Sequence, residues 1–439
     1  MGLSVNVVWE VRPGSGADTN GGGYDPSITS PGTDYSQQNS AQYAYTDGVT
    51  VGTTAFTSVS HSFVAGDVAN IICISAGSGN TAGFYTIVSV AGGIATLDRS
   101  PGTGTGATWA LGGSLNTVGV LFNRSPGSGY NPNSTNGGKI YMKGTQSLTS
   151  STYIQPRYGG PTDFTLIGYG TTRGDNVQAT FTINANDPCW EFGGTSGRFY
   201  NISFTTTSGT VNVGVTNSSG TINYLLFDNC TFNGFSSALS IGASQLVCIN
   251  SEFKNCTADS IYMYGTAFIF GCYFHANASG AGVHGWSGNQ YATLNIIDSV
   301  FYSNLYGILW TGDTDWASKQ GIYCTNCAFV SNTSDAIRLF GSGTNYPEII
   351  HLINCIIYGN GGYGINVKTG LSNFHYYEGK NNAYGSNTSG NYTSSLYALP
   401  GEVTLTANPF ISAGHFTLNS TAGGGAACVA AGFQSLLIA

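Results

Sequence analysis

The chain has 439 residues, of which 8% are charged, with 21 acidic against 13 basic side chains. Its net charge of -8 argues against a nucleic-acid partner, because phosphate binding requires a basic surface. Hydrophobic residues make up 41% of the chain and aromatic residues 13%, which excludes a disordered protein and predicts a sizeable core.

The N-terminal stretch MGLSVNVVWEVRPGSG has no basic segment followed by an apolar run, so no signal peptide is expected. The chain also lacks an uninterrupted apolar window of the roughly eighteen residues that a spanning helix needs, so no membrane insertion is expected. Residues 1–45 are rich in Gly, Pro, Ser and Asp and are predicted to form an extended N-terminal arm.

Residues 46–115 are predicted to form a small all-β module. Segments 67–75, 83–90 and 93–99 are rich in β-branched and apolar residues and are separated by Gly-rich turns, a pattern typical of short strands. Such a module either attaches the chain to another protein or covers the exposed edge of the domain that follows. The sequence leaves both roles open.

A repeat dominates the second half of the chain. A large residue returns at intervals of 21 to 28 residues, and seven to nine residues after it a second apolar segment alternates with period two, as strands do. The repeated positions are Phe204, Phe232, Phe253, Phe274, Phe301, Phe329, Ile357 and Tyr384. Residues 116–400 are therefore predicted to form a solenoid of stacked parallel strands, which residues 401–439 close.

A column of turn-forming residues lies three positions before the large residue of each repeat. Its members are Asn201, Asn229, Asn250, Asp298, Asn326, Asn354 and Asn381, with Gly271 in the remaining repeat. Asn, Asp and Gly tolerate the left-handed backbone conformation better than other residues. We therefore predict that this column turns the chain at one corner of every coil.

The ten cysteines are interpreted mainly as small core residues, because six of them fall on inward positions of the repeat. Cys324 and Cys327 have CxxC spacing, but the sequence offers no second pair and no spaced histidines, so no metal site is expected. Cys327 and Cys355 lie on adjacent coils and are within reach of a disulfide, although free thiols are favoured.

The coil sequences FDNCTFNGF (227–235) and INCII (353–357) resemble those of right-handed parallel β-helix proteins of the pectate-lyase-like group. Residues 139–154 and 166–175 resemble the opening coils of that group. Residues 415–432 resemble its closing coil, with His415 where an Asp commonly precedes the Phe. The resemblance implies an all-β fold, a right-handed parallel β-helix (solenoid) preceded by the small N-terminal β module.

Phage tailspikes and other virion proteins share this fold, and the stretch VWEVRPGSGADTNGGGYDPS is similar to the start of phage-encoded β-helix proteins. The resemblance implies a non-enzymatic structural protein on the virion surface of a bacteriophage, extracellular after release, as a capsid decoration or a fibre (adhesin). The implied partners are other virion proteins bound through the N-terminal region, further copies in a homo-oligomer, with trimers frequent among related proteins, and host-surface polysaccharide. No cofactor is implied.

The alternative function is that of a tailspike-like polysaccharide depolymerase, acting as a glycoside hydrolase or a lyase. Its best catalytic candidates are Asp313 and Asp315, which share the segment WTGDTDWASKQ with Trp310 and Trp316. A solvated loop with turn-forming aspartates explains the same residues. An exported polysaccharide lyase ranks third, because the sequence shows neither a leader nor clustered acidic and basic residues.

Aromatic residues at outward strand positions suggest a binding surface. Tyr262 and Tyr264 occupy the outward positions of the strand that begins at Ile261. His284 and Trp286 occupy the corresponding positions one coil later. Exposed aromatic rings on a sheet stack on sugar rings, become buried against another subunit, or are exposed without a function, and the sequence leaves all three open. These four residues and Trp316 are the candidate partner- or glycan-binding residues.

Overall fold

The computed structural model divides the chain into two compact units, Met1–Thr182 with Trp190–Ile202, and Ile183–Cys189 with Ser203–Ala439. The structure describes residues 3–4, 6–122, 138–149, 154, 163–184, 189–192, 196–206, 213–217, 224–242, 245–286, 293–312, 320–341, 348–367, 375–393, 396, 398–412 and 415–433. Among these residues, no helix is both long enough and apolar enough to cross a membrane.

The first unit contains a closed β-barrel, which confirms the predicted N-terminal β module. Its strands are Tyr43–Val51, Ala55–Thr57, Ile71–Ala76, Gly83–Ala91, Ile94–Leu97 and Thr103–Leu111. Phe56, Ile72 and Trp109 are among the fully buried residues that fill the barrel. Closure pairs the edge strands with each other, so the module presents no open edge for aggregation. Short 3-10 helices occur at Ala65–Asp67 and Val118–Leu121.

The first unit also contains a mainly parallel sheet that includes the N-terminal segment. Val8–Val11 pairs antiparallel with Gly23–Tyr24 and parallel with Gly138–Lys143. Asp163–Tyr169 and Ser196–Tyr200 continue the sheet in parallel. The remaining strands of this part of the chain are Thr145–Leu148, Ala179–Ile183 and Trp190–Phe192. Residues 8–11, which lie within the segment interpreted as an arm, are therefore part of this sheet.

A buried carboxylate fixes that segment in the first unit. Glu10 is fully buried, and its carboxylate accepts hydrogen bonds from Arg12 at 2.8 Å, from Arg173 at 2.6 Å and from the hydroxyl of Tyr169. Trp9 beside it is 1% exposed. A buried carboxylate persists only where such partners satisfy its oxygens.

The second unit is a parallel β-helix of three sheets, as the repeat predicted. The first sheet consists of Tyr224–Asp228, Gln245–Ile249, Thr266–Phe270, Thr293–Ile297, Gln320–Thr325, Glu348–Ile353 and His375–Lys380. The second consists of Ile202–Thr206, Thr231–Asn233, Glu252–Lys254, Tyr273–His275, Val300–Tyr302, Ala328–Val330, Ile356–Tyr358, Ala383–Gly385 and Val403–Thr404. The third consists of Val213–Asn217, Ser237–Ile241, Ile261–Met263, Ala281–Trp286, Tyr306–Gly312, Ile337–Gly341, Tyr363–Val367 and Gly390–Tyr392.

The repeated phenylalanines form a continuous stack on the inner face of the second sheet. Successive ring centroids from Phe204 to Phe329 are 4.7 to 4.9 Å apart, and neighbouring ring planes differ by 3 to 9°. This spacing equals the distance between hydrogen-bonded strands. One ring per coil therefore fits the interior without a gap and fixes the register of the second sheet.

The turn column occupies the left-handed region of backbone space. Its seven Asn and Asp residues have φ between 46° and 56°, and Gly271 has φ 62°. Their side chains also bond between coils, because Asn326 Nδ2 donates to Asp298 Oδ1 at 3.1 Å and Asn354 Nδ2 donates to Asn326 Oδ1 at 3.3 Å.

A second asparagine column, which was not predicted, lies three residues after the large residue in the five coils from Phe274 to Tyr384. Its members are Asn277, Asn304, Asn332, Asn360 and Asn387. Each of the first four donates its side-chain amide to the Oδ1 of the next member, at 2.6 to 3.2 Å. Those four side chains are also buried, so this inner asparagine ladder satisfies polar groups that no water reaches.

The C-terminal segment covers one side of the β-helix. Val403–Thr404 adds a last strand to the second sheet, and a hairpin, Phe410–Ser412 with His415–Leu418, leads to the α-helix Gly425–Ala430. The ring of Phe416 lies 5.9 Å from that of Tyr273 and 5.7 Å from that of Tyr302. The outer face of the second sheet is therefore packed against this segment.

The ten cysteines are free and buried. Burial raises the pKa of the Cys272 thiol to about 12 and that of Cys256 to about 11. Cys327 and Cys355 each donate to backbone carbonyl oxygens, at 3.4 and 3.5 Å respectively. Protonated and enclosed thiols of this kind are inert core groups.

Candidate functional site

The outer face of the third sheet carries the aromatic residues that the sequence singled out. Ile261, Met263 and Val283 point into the core and are buried, so their strand neighbours point outward. Tyr262 pairs with His284 across the two coils, which places both side chains in one row. All four candidates, Tyr262, Tyr264, His284 and Trp286, are half-buried.

The four rings form one cluster, which we call the aromatic cluster. The centroid of Tyr262 lies 5.1 Å from that of Tyr264 and 4.9 Å from that of His284, and Tyr264 lies 4.6 Å from Trp286. All three contacts are edge-to-face, the geometry that aromatic quadrupoles favour. The four half-buried rings therefore form one contiguous patch on the outer face of the third sheet.

The cluster also holds hydroxyl groups at fixed positions. Tyr264 donates its hydroxyl hydrogen to the Tyr262 oxygen at 3.2 Å. Partial burial, and secondly this contact with Tyr264, raise the pKa of Tyr262 above its ordinary value. Tyr262 therefore remains protonated at neutral pH and can act as a hydrogen-bond donor.

A polar chain of three residues borders the cluster. His284 Nδ1 lies 2.6 Å from Asp259 Oδ2, and His284 Nε2 lies 2.9 Å from the hydroxyl oxygen of Thr311. The other carboxylate oxygen of Asp259 accepts the backbone N–H of Ala281 at 2.8 Å. The imidazole is thus held between a fixed carboxylate and a hydroxyl group.

The same face continues along later coils with a cation and an exposed ring. Arg338 donates to the hydroxyl of Tyr306 at 2.8 Å, and its guanidinium carbon lies 5.4 Å from the centroid of Phe340. Phe340 is 43% exposed. The face therefore combines aromatic rings with donors and one cation over several coils, a composition suited to polar ring-shaped ligands.

The carboxylates proposed for catalysis are not placed by the structure. Asp313 and Asp315 lie outside the described residues, as does Trp316. Trp310, which precedes them in the chain, is 1% exposed and belongs to the core. Its ring fills the space that a side chain at Gly285 of the preceding coil would occupy. Trp310 is therefore not a surface residue of that loop.

Asp259 and Thr311 were missed as site residues in the sequence. Their connection through His284 depends on the register between three coils. The spacing of the repeat does not predict that register to the precision of one residue. Among the described residues, no group of three His, Cys, Asp or Glu side chains is arranged to hold a metal ion.

A second surface was also missed. On the outer face of the first sheet, Phe268 and Phe270 are each 46% exposed and Ile297 is 41% exposed. Phe270 pairs with Ile297 across two coils, so the apolar side chains adjoin. We call these three residues the apolar patch. Adjacent exposed apolar residues of this size commonly mark an interaction surface.

Comparison with known proteins supports the fold. Residues 211–382 match the family model described as a right handed beta helix region. A search of curated proteins finds no significant match. The solved structures similar to this chain include the pectate lyase Pel9A, at 17% identity, with 63% of this chain and 74% of that chain covered and a TM-score of 0.45.

Two phage proteins are also among the similar structures. ORF18 of Geobacillus virus E2 is 18% identical, with 61% of this chain and 52% of that chain covered and a TM-score of 0.34. Tailspike protein 3 of bacteriophage CBA120 is 12% identical, with 62% and 52% covered and a TM-score of 0.25. These likenesses are too distant to carry a function. By strand pairing and by its family match, the segment 211–382 is a right-handed parallel β-helix region.

Proposed function

We propose that this protein is a structural component of a bacteriophage virion surface and that it contacts host-surface polysaccharide through the aromatic cluster of its β-helix. The observation that carries the proposal is the cluster itself. Tyr262, Tyr264 and Trp286 bring three half-buried aromatic rings together with hydroxyl and indole donors, and His284 and Asp259 add further polar atoms. Sugar rings require apolar faces to stack against and donors for their hydroxyls.

The virion location is supported by the similarity of the coils and of the N-terminal stretch to phage-encoded β-helix proteins. In this proposal the N-terminal region attaches the chain to other virion proteins, as a capsid decoration or a fibre. A parallel β-helix suits such a role, because each coil is hydrogen-bonded to its neighbours along the whole shaft.

Self-association through the apolar patch is the second part of the proposal. The ladder positions beside Phe268 are Val247 and Asn295, and those beside Phe270 are Ile249 and Ile297. None of these residues is charged, so two identical copies of this face meet without electrostatic repulsion. A symmetric contact between copies uses the same surface twice and therefore requires this self-compatibility.

The competing function is cleavage of the polysaccharide by Asp313 and Asp315. It predicts the release of reducing ends or unsaturated ends from a bound glycan, and the loss of that release in the double variant Asp313→Asn with Asp315→Asn. The structural proposal predicts binding without release of either product. Polysaccharide binding and the release of reducing or unsaturated ends are measured on the same samples.

The experiment is a binding assay of the full chain against a panel of bacterial capsular and lipopolysaccharide O-antigen preparations. Trp286→Ala should weaken binding about fivefold or more, since an aromatic contact contributes about 1 kcal/mol. Tyr323→Ala, which removes an aromatic residue from the outer face of the first sheet, is the matched control and should bind as the unaltered chain does. Equal loss in both variants, or no binding to any preparation, contradicts the proposed glycan contact.

A further inference from the structure

We propose that Thr311, His284 and Asp259 form a nucleophile, a general base and an orienting carboxylate that remove O-acyl groups from the bound polysaccharide. This inference rests on the proposed glycan contact and adds to it an activity that leaves the sugar backbone intact. The substrate class is an O-acylated glycan, and the products are the free sugar hydroxyl and the carboxylic acid.

The first support is the geometry of the three side chains. His284 bridges the other two, at 2.6 Å to Asp259 and 2.9 Å to Thr311. Both distances lie within the range expected for a hydroxyl nucleophile, its base and the group that orients the base. In the proposed reaction Nδ1–H donates to the Asp259 carboxylate, which leaves Nε2 to take the proton of the Thr311 hydroxyl.

The second support is that the fold holds each member in place. Asp259 lies two residues before the strand Ile261–Met263, His284 lies in Ala281–Trp286, and Thr311 lies in Tyr306–Gly312, so three consecutive coils contribute one residue each. The N–H of Ala281 fixes the second oxygen of Asp259 at 2.8 Å. His284 and Asp259 are 14% and 21% exposed, which leaves the base accessible but partly shielded from water.

The third support is that Thr311, His284 and Asp259 lie beside the aromatic cluster. Trp286 pairs with Thr311 across the ladder, so its indole N–H belongs to the same face as the hydroxyl. Tyr262 contacts the His284 ring from the other side. A sugar seated on the cluster would bring its acyl substituents toward Thr311, with N–H and O–H donors available for the carbonyl oxygen.

The reaction balances with water as the second substrate. The Thr311 oxygen attacks the acyl carbon while its proton passes to His284 Nε2. The bond between the acyl carbon and the sugar oxygen then breaks, and His284 returns the proton to that oxygen. Water attacks the acyl-threonine, gives a proton to His284 and releases the acid, after which Thr311 regains its hydrogen.

The test measures acetate released by the full chain from O-acetylated polysaccharides that it binds, together with hydrolysis of 4-nitrophenyl acetate. Thr311→Val and His284→Gln should each lower kcat about 100-fold or more, the usual contribution of a positioned acid–base group. Thr311→Ser keeps the hydroxyl and should retain activity. Asp259→Asn keeps an acceptor for Ala281 but donates toward Nδ1, so kcat should fall while KM stays unchanged.

Two variants serve as matched controls. Asp335→Asn alters a carboxylate in the equivalent place of a later coil, and His275→Gln alters a histidine that bonds to Glu252 on the second sheet. Both should leave acetate release unchanged. Circular dichroism and the melting temperature establish that each variant is folded, and Thr311→Ser supplies the comparison if Thr311→Val is not.

The outcomes separate this inference from the proposed function. Polysaccharide binding without acetate release overturns the deacylation and leaves the glycan contact standing. Acetate release that survives Thr311→Val also overturns it, because the nucleophile would then be another group. Absence of binding to every O-acetylated preparation, together with no hydrolysis of 4-nitrophenyl acetate, contradicts both.

Discussion

Asp259 and Asp335 occupy equivalent positions in different coils but hold different partners. Asp259 Oδ1 accepts the N–H of Ala281 at 2.8 Å, and Asp335 Oδ1 accepts the N–H of Tyr363 at 2.7 Å. The second oxygen of Asp259 binds the imidazole of His284, whereas that of Asp335 binds the amide of Asn366 at 2.9 Å. The equivalent carboxylate thus binds an imidazole in one coil, and in the other it binds an amide and pairs with the Arg338 guanidinium at 3.8 Å.

Asp335 is expected to contribute to stability through these contacts. Asp335→Ala leaves the N–H of Tyr363 without its acceptor and should lower the free energy of unfolding by about 1–3 kcal/mol. Glu378→Ala, at a side chain that is 59% exposed, should change it by less than about 0.5 kcal/mol. Urea denaturation compares the two, and equal effects would show that the contact of Asp335 does not stabilise the coil.

Substitution in the inner asparagine ladder is expected to lower the free energy of unfolding more than substitution of Asp335 does. Asn332→Ala removes the acceptor for Asn304 and the donor to the Phe301 carbonyl oxygen, which lie in the core. Leaving both groups unpaired should cost about 3 kcal/mol. Asn233→Ala, in a partly exposed strand, should cost less than about 0.5 kcal/mol. Denaturant midpoints that shift equally would contradict a structural role for the ladder.

The turn column allows a test of backbone strain. Asn326 has φ 53°, which an alanine adopts only at a cost of about 1–2 kcal/mol. Asn326→Ala should therefore destabilise the protein, while Asn326→Gly should be better tolerated because glycine has no Cβ. Both variants lose the same side-chain bond to Asp298, so the difference in unfolding free energy isolates the backbone. A glycine variant as unstable as the alanine variant would contradict the assignment.

Glu252 should make stability depend on pH in the acid range. The hydrogen bond from His275, and then the Lys254 ammonium, overcome partial burial and lower the pKa of Glu252 to about 2 from 4.5. A depressed folded-state pKa gives stability that is present above the unfolded value and is lost as pH falls toward the folded value. Stability should therefore decline between about pH 4.5 and pH 2.

Glu252→Gln removes this titration. Its melting temperature should be lower than that of the unaltered chain at neutral pH, and the two should converge toward pH 2. A constant difference in melting temperature across the acid range would show that ionisation of Glu252 does not stabilise the fold. Glu378→Gln, at a carboxylate that is 59% exposed, controls for the general effect of removing one charge.

The apolar patch predicts the state of association. Phe268→Ser with Phe270→Ser should reduce the mass measured by light scattering toward that of one chain of 45.7 kDa. Phe340 on the third sheet is exposed to a similar fraction, 43%, as each phenylalanine of the patch. Phe340→Ser should therefore leave the mass of the assembly unchanged. A single-chain mass for the unaltered protein, or no response to the double substitution, contradicts self-association through this face.

The sequence was sufficient for the coil architecture because the architecture is periodic. The large residue and the turn-forming residue three positions before it recur together in every coil, and each has one physical reason for its position. The inner asparagine ladder has the same spacing, three residues after Phe274 and Phe301, and could have been found by the same count. The signal is weak in the sequence because Asn also occurs at many other positions of these coils.

The site was less predictable for a physical reason. Outward positions of Tyr262, Tyr264, His284 and Trp286 follow from strand alternation, but hydrogen bonds among side chains depend on register between coils of unequal length. His284 reaches Asp259 in the preceding coil and Thr311 in the following one. The apolar patch was missed because Phe268 and Phe270 belong to a strand that has apolar residues on both faces of the sheet. Such a strand shows no alternation of apolar and polar residues in the sequence.

Footprinting of the protein with hydroxyl radicals, in the presence of a polysaccharide that it binds, tests the central claim most directly. Mass spectrometry then reports the loss of oxidation at each aromatic residue. The account predicts protection of Tyr262, Tyr264 and Trp286, with Tyr323 on the first sheet oxidised as in the free protein. Protection of Tyr323 without protection of Trp286 would contradict the proposal that the aromatic cluster contacts the glycan.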